Sequence, residues 1–191
     1  MNARRKSIAK RCWHGVATFL LAIAIVLPAG KEAQAQSPSD APLRARFLLN
    51  FLRFTEWPST ASAPADAPPI EVCVLGMSDP FQGALGELQG STAGGRKINV
   101  HGNVATEHAA ACHLLYVPDS ELRQVPGARE AIGKRPVLIV GESEAILDHG
   151  GMIALRSVDR HLAFVVKLSS ARQAALNFSP QMLHAAAEVL P

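Results

Sequence analysis

The chain has 191 residues, 48% of them hydrophobic, and a formal charge of +3 from 19 Lys and Arg against 16 Asp and Glu. Six of the basic and one of the acidic side chains fall within residues 1–35, so the remainder carries 13 against 15, a formal charge of −2. Beyond residue 35 there is no basic field to draw nucleic acid or anionic lipid, no second apolar run of bilayer length, and length enough for one core.

Arg4, Arg5, Lys6, Lys10 and Arg11 precede the apolar run 16–27, and Ala33-Gln34-Ala35 follows it. A charged start, an apolar run too short to cross a bilayer comfortably and a small-x-small triplet are the parts of a secretory signal peptide. The expectation is cleavage after Ala35 and export, with residues 1–35 removed; an uncleaved anchor is the alternative. Residues 36–41 read as a disordered lead-in and residues 42–191 as a single domain.

Leu43, Phe47, Leu48, Phe51, Leu52 and Phe54 recur at helical spacing and predict a first helix with a broad aromatic face. Trp57-Pro58 ends it, because a residue before proline avoids the α region. Residues 59–69 hold three prolines and four alanines and read as a loop. The run 70–75 predicts a buried strand. Asp79-Pro80 resembles an N-cap with proline at the first helical position, opening a helix to about residue 89. A glycine turn, a short strand over 97–101 and a buried strand over 112–117 follow. Asp119 and Ser120 cap a helix to about residue 132, and 136–140 is again a buried strand. A brief helix starts near Ser143. Strands over 152–155 and 162–167 are joined by a link of hairpin length, and a closing helix spans 180–190. Strands alternating with helices predict an α/β fold, a three-layer α/β/α sandwich with a mostly parallel sheet and a late antiparallel hairpin.

Cys73 and Cys112 both sit on predicted buried strands. In an oxidising compartment an even count reads as a disulfide. The bridge would close a loop of about 40 residues, worth roughly 3–4 kcal/mol in the chain-entropy account. Two separate buried thiols acting as small hydrophobes are the other reading.

The motifs that could carry chemistry read mostly as structural. Gly141-Glu142-Ser143-Glu144-Ala145 lacks the second glycine of a nucleophile elbow, so Ser143 reads as a helix-start residue. Gly90, Gly94 and Gly95 form a turn with no Gly-Lys-Ser/Thr after them. His108 and His113 flank Cys112, but a strand histidine beside a disulfide accounts for them better than a metal. Arg96-Lys97 and Lys134-Arg135 read as solvated turn pairs. The expectation is no catalytic residue, no cofactor and no metal.

The stretch Phe47-Leu48-Leu49-Asn50-Phe51-Leu52-Arg53-Phe54-Thr55-Glu56-Trp57-Pro58 resembles the opening helix of the YfiR-like family (DUF4154). The resemblance continues through Val72-Cys73-Val74-Leu75-Gly76, Asp79-Pro80-Phe81, Gly95-Arg96-Lys97-Ile98 and Cys112-His113-Leu114-Leu115-Tyr116-Val117. It closes with Pro136-Val137-Leu138, Gly150-Gly151-Met152-Ile153 and the strand near Phe164. It implies a periplasmic α/β protein, not an enzyme, that binds the periplasmic sensor domain of a membrane-bound diguanylate cyclase and represses it. Envelope or redox state would thereby set cyclic di-GMP and biofilm growth. The resemblance also pairs Cys73 with Cys112. A second cysteine pair found late in some relatives is absent here, and the late hairpin reads Met152-Ile153-Ala154 and Phe164-Val165-Val166-Lys167 where relatives carry an acid and amides. The surface expected to meet a partner or ligand is Phe51, Arg53, Trp57, Phe164 and Lys167. A second copy of the chain and a small molecule are further candidate partners. A small-molecule binding protein is the alternative function.

Overall fold

The structure is a computed structural model, and it describes residues 41–58, 67–76, 82–158 and 161–191. The expected signal peptide, the lead-in, most of the 59–69 loop and the Asp79-Pro80 cap lie outside the described residues.

The first helix, α1 (Ala41–Phe54), buries Ala45, Leu48, Phe51 and Leu52. Those positions recur every three or four residues, so they form one stripe. Leu43, read as part of that stripe, instead faces outward and is 42% exposed. The helix runs directly into β1 (Thr55–Glu56), three residues short of Pro58. The expected central strands follow as β2 (Ile70–Leu75), β5 (Leu114–Val117) and β6 (Leu138–Gly141), each almost wholly buried. Between β2 and β5 lie α2 (Gln82–Gly86), β3 (Thr92–Ala93), β4 (Arg96–Val104) and a 3-10 segment, Thr106–Ala111. Asp119 does open a helical stretch, but it is a 3-10 turn to Gln124 followed by α3 (Val125–Ile132), with proline in the first turn. Then come α4 (Ala145–Asp148), β7 (Ile153–Val158), β8 (His161–Lys167), α5 (Leu168–Gln173), β9 (Asn177–Phe178), α6 (Pro180–Ala185) and β10 (Glu188–Leu190).

The main sheet has eight strands in the order β10-β8-β7-β6-β5-β2-β4-β3. The five central strands run parallel, and β7 and β8 form the expected antiparallel hairpin. The expected closing helix over 180–190 is a correction. The chain leaves α6 after one and a half turns, and β10 pairs parallel with β8 in the register Glu188 to Val165. The alanine-rich tail has high helix propensity, but the open edge of β8 offers it backbone partners.

Side chains alternate across the sheet. Ile70, Val72 and Val74 of β2 point into one core with α1, α2, α5 and α6. Cys73 and Leu75 point into the other, with the 3-10 segment Thr106–Ala111, α3 and α4. These two cores make the three layers. On the second face Gly141 ends β6 directly beneath Ile146, and a Cβ there would overlap the isoleucine side chain. This glycine therefore serves the close docking of α4, not a nucleophile.

Candidate functional site

The site is built around the join between β2 and the start of β5. Cys73 in β2 and Cys112, two residues before β5, are disulfide-bonded with their Cα atoms 5.9 Å apart. Both are buried. The bridge therefore staples neighbouring parallel strands, because Cys73 already lies opposite Leu115 in the ladder.

On the other side of β2 the register places Glu71 opposite Asn99 and Cys73 opposite His101. Partners in a ladder share a face, so Glu71, Asn99, His101 and the disulfide line one surface. Asn99 Nδ2 donates to Glu71 Oε1 at 3.2 Å, and Glu71 Oε2 lies 2.5 Å from His101 Nε2. None of these three polar residues was singled out in the sequence. The period-two alternation of β4 held the signal, since Asn99 and His101 oppose Ile98, but only the strand register brings them to Glu71.

Arg96 corrects a reading. Its pair with Lys97 looked like solvated surface, yet Arg96 is 8% exposed. Its guanidinium donates to Pro68 O at 2.6 Å and Pro69 O at 2.9 Å, and lies 3.0 Å from His113 Nε2. Burial pulls the guanidinium below its usual range, with Glu71 opposing. His113 is hemmed in. Its Nδ1 accepts from the Glu71 backbone N–H at 3.1 Å while Nε2 faces Arg96. A neutral imidazole accepts at one nitrogen, and a protonated one at neither. Burial and the Arg96 charge accordingly lower its pKa, against a smaller opposite pull from Glu71.

The expected partner surface is dispersed. Phe51 and Phe164 are brought together, but inside the first core. They are 1% and 4% exposed, with ring centroids 5.0 Å apart and Phe47 packed against both. Trp57 is also buried, and its Nε1 donates to Pro136 O at 3.1 Å. Burial removes these three rings from the surface of the folded chain. Arg53 stays exposed, with Nη2 3.4 Å from Thr92 O. Lys167 is half-buried, and its Nζ donates to Leu147 O at 3.0 Å.

An open sheet of this kind usually binds ligands outside the strand ends at the point where strand order reverses, here between β2 and β5. Among the described residues the protein's own side chains fill that place. Glu121 packs over Gly76, which has φ +76° and no room for a Cβ, and Gln124 holds the Glu121 carboxylate. Ser143 Oγ donates to Asp119 Oδ1 at 2.8 Å, in keeping with a positioning role at the start of α4. Among the described residues no cluster of three metal-ligating side chains occurs, and Cys112 is committed to its bridge. No described helix is long and apolar enough to cross a membrane.

No curated protein matches the chain. Among solved structures it is similar to a conserved domain protein from Vibrio cholerae O1 biovar El Tor, at 13% identity and a TM-score of 0.53. That match covers 80% of this chain and 60% of the other, so the chain spans under two thirds of that structure, and the likeness is one of fold. A weaker likeness, TM-score 0.45 at 12% identity, is to an ABC domain in complex with L-Trp from Streptococcus pneumonia, covering 63% of this chain and 55% of that one. The sequence profile of DUF4154, described as YfiR/HmsC-like, matches residues 41–187, which is nearly all of the described fold. The chain belongs to the YfiR/HmsC-like family.

Proposed function

We propose that this protein is a periplasmic regulator that binds the periplasmic sensor domain of a membrane-bound diguanylate cyclase and represses it. Envelope or redox state would then set cyclic di-GMP and, through it, biofilm growth. The family match over residues 41–187 carries this reading, since YfiR-like proteins regulate diguanylate cyclases in the periplasm. Export through residues 1–35 belongs to the same proposal, and N-terminal sequencing of protein from the periplasm should begin at Gln36.

With its aromatic rings buried, the partner surface is redrawn. Leu43, Arg46, Asn50 and Arg53 are exposed on α1 at spacings of three and four, so they form one outward stripe. An apolar residue with arginines beside it suits a protein interface. Arg53 keeps its place in the proposal and Phe51 supports the stripe from beneath, whereas Lys167, held by Leu147 O on the second face, lies apart from it. The test is cellular cyclic di-GMP with the gene deleted, then restored. A rise on deletion that restoration reverses supports repression, and Arg46→Glu with Arg53→Glu should fail to restore it. Unchanged cyclic di-GMP in cells that express the protein would sink the proposal.

A further inference from the structure

The second face of the sheet is covered unevenly. The 3-10 segment Thr106–Ala111, α3 and α4 close it over β5 and β6. Over the outer half of β4 it stays open, and a groove of about 780 Å³ results. That volume is in the range of sites that hold small organic molecules. Its chemistry is specific. The body is apolar, made by the Cys73–Cys112 bridge, Val104 and the short side chains of Ala105 and Ala111. One carboxylate stands in it, Glu71, held in place by Asn99 and His101. Each carboxylate oxygen has a second lone-pair direction beyond the bond it already accepts. None of the described residues lining the groove is lysine or arginine. Arg96 offsets part of the Glu71 charge, but it is committed to Pro68, Pro69 and His113 and is not part of the lining.

We propose that this groove binds a small organic cation, an ammonium group joined to an apolar body. The ammonium would donate to Glu71, and the body would lie along the disulfide, Val104 and the two alanines. A carboxylate already fixed by two side chains loses little freedom on accepting a third donor, and a charge-assisted bond at the rim of an apolar surface gives both affinity and orientation. An anion of the same shape would meet the Glu71 carboxylate with only the imidazoles of His101 and His108, and no lysine or arginine, to offset it. The site is independent of the cyclase proposal, because it is tested on the purified protein alone.

The experiment is calorimetric titration of the oxidised protein with phenethylamine and with phenylacetate, which share a ring but differ in charge. Saturable binding of phenethylamine and at least tenfold weaker binding of phenylacetate are expected. Glu71→Gln should weaken phenethylamine about tenfold, the loss of one charge-assisted contact. Ala111→Phe, at an exposed position, should fill the groove and abolish binding while leaving the melting temperature unchanged. Failure of the wild type to bind phenethylamine, equal affinity for the two probes, or undiminished binding by both variants would overturn the proposal.

Discussion

The two faces of the sheet are held by different means. On the first, α1 lays a continuous stripe across β2, β5 and β6, and three phenylalanine rings from α1 and β8 meet edge to face or at a tilt. This face is closed by packing. On the second, the covering pieces are short: a 3-10 segment and helices of eight and four residues. They bury less aromatic surface, and a covalent staple between β2 and the start of β5 joins the elements. The second face is also where the sheet stays partly open and where its polar side chains gather. On a closed face an unpartnered polar group is costly, whereas a stapled face keeps its strands together with part of its surface left free.

This contrast can be broken by mutation. Phe51→Ala removes a ring at the centre of the first core and should destabilise the fold by about 3–5 kcal/mol in denaturant unfolding. A loss below about 1 kcal/mol would mean that packing does not hold this face. Replacing both Cys73 and Cys112 by serine should cost about 3–4 kcal/mol, and reductant should mimic it in the wild type and do nothing further to the double variant. Equal melting with and without reductant would remove the staple from the account. Trp57→Phe keeps an aromatic ring but loses the bond to Pro136 O and part of the indole's packing, for about 1–2 kcal/mol, and should leave the second-face groove intact. The smallest effect sharpens the comparison by pH. The folded pKa of His113 lies below its unfolded value, so its contribution to stability is present above the ordinary histidine range near 6.5 and is lost as pH falls through the folded pKa. Melting temperature should decline on acidification from pH 7.5 to 5, and His113→Asn should flatten that slope. An identical slope in the variant would place the titration elsewhere.

The first face was the more legible in the sequence. Its helix announces itself by periodicity, and its strands by short apolar runs. The Cys73–Cys112 pairing was readable because the even cysteine count fell on two apolar runs, although the strand after Cys112 begins only at Leu114. Packing of the aromatic helix on its own sheet was the default expectation and holds; what failed was the choice of Phe51, Trp57 and Phe164 as an exposed interface. Phe51 lies on the stripe that the sheet must bury, and Phe164 alternates inward from the hairpin. Arg96 was misread because its partners are backbone carbonyls of Pro68 and Pro69, set by tertiary contact and invisible in its neighbours. The polar cluster of Glu71, Asn99 and His101 depends on the register between β2 and β4, which no local pattern specifies. The final strand β10 was lost to helix propensity in an alanine-rich tail, where the edge of β8 decides the outcome.

The small pairing of β1 with β9 has a bearing on how the molecule is made. Thr55 faces Phe178 across it, and Ser179 N donates to Phe54 O at 2.9 Å, so the end of α1 is tied to a segment near the opposite end of the chain. The Phe47 and Phe51 rings likewise wait for Phe164. During synthesis, therefore, the first helix meets β2 and α2 early, but its two rings emerge long before Phe164, which packs on both. Such distant contacts slow folding, and an uncovered stripe invites association with other chains. The helix that marks this family most clearly in sequence thus completes its native contacts only when the last third of the chain is in place.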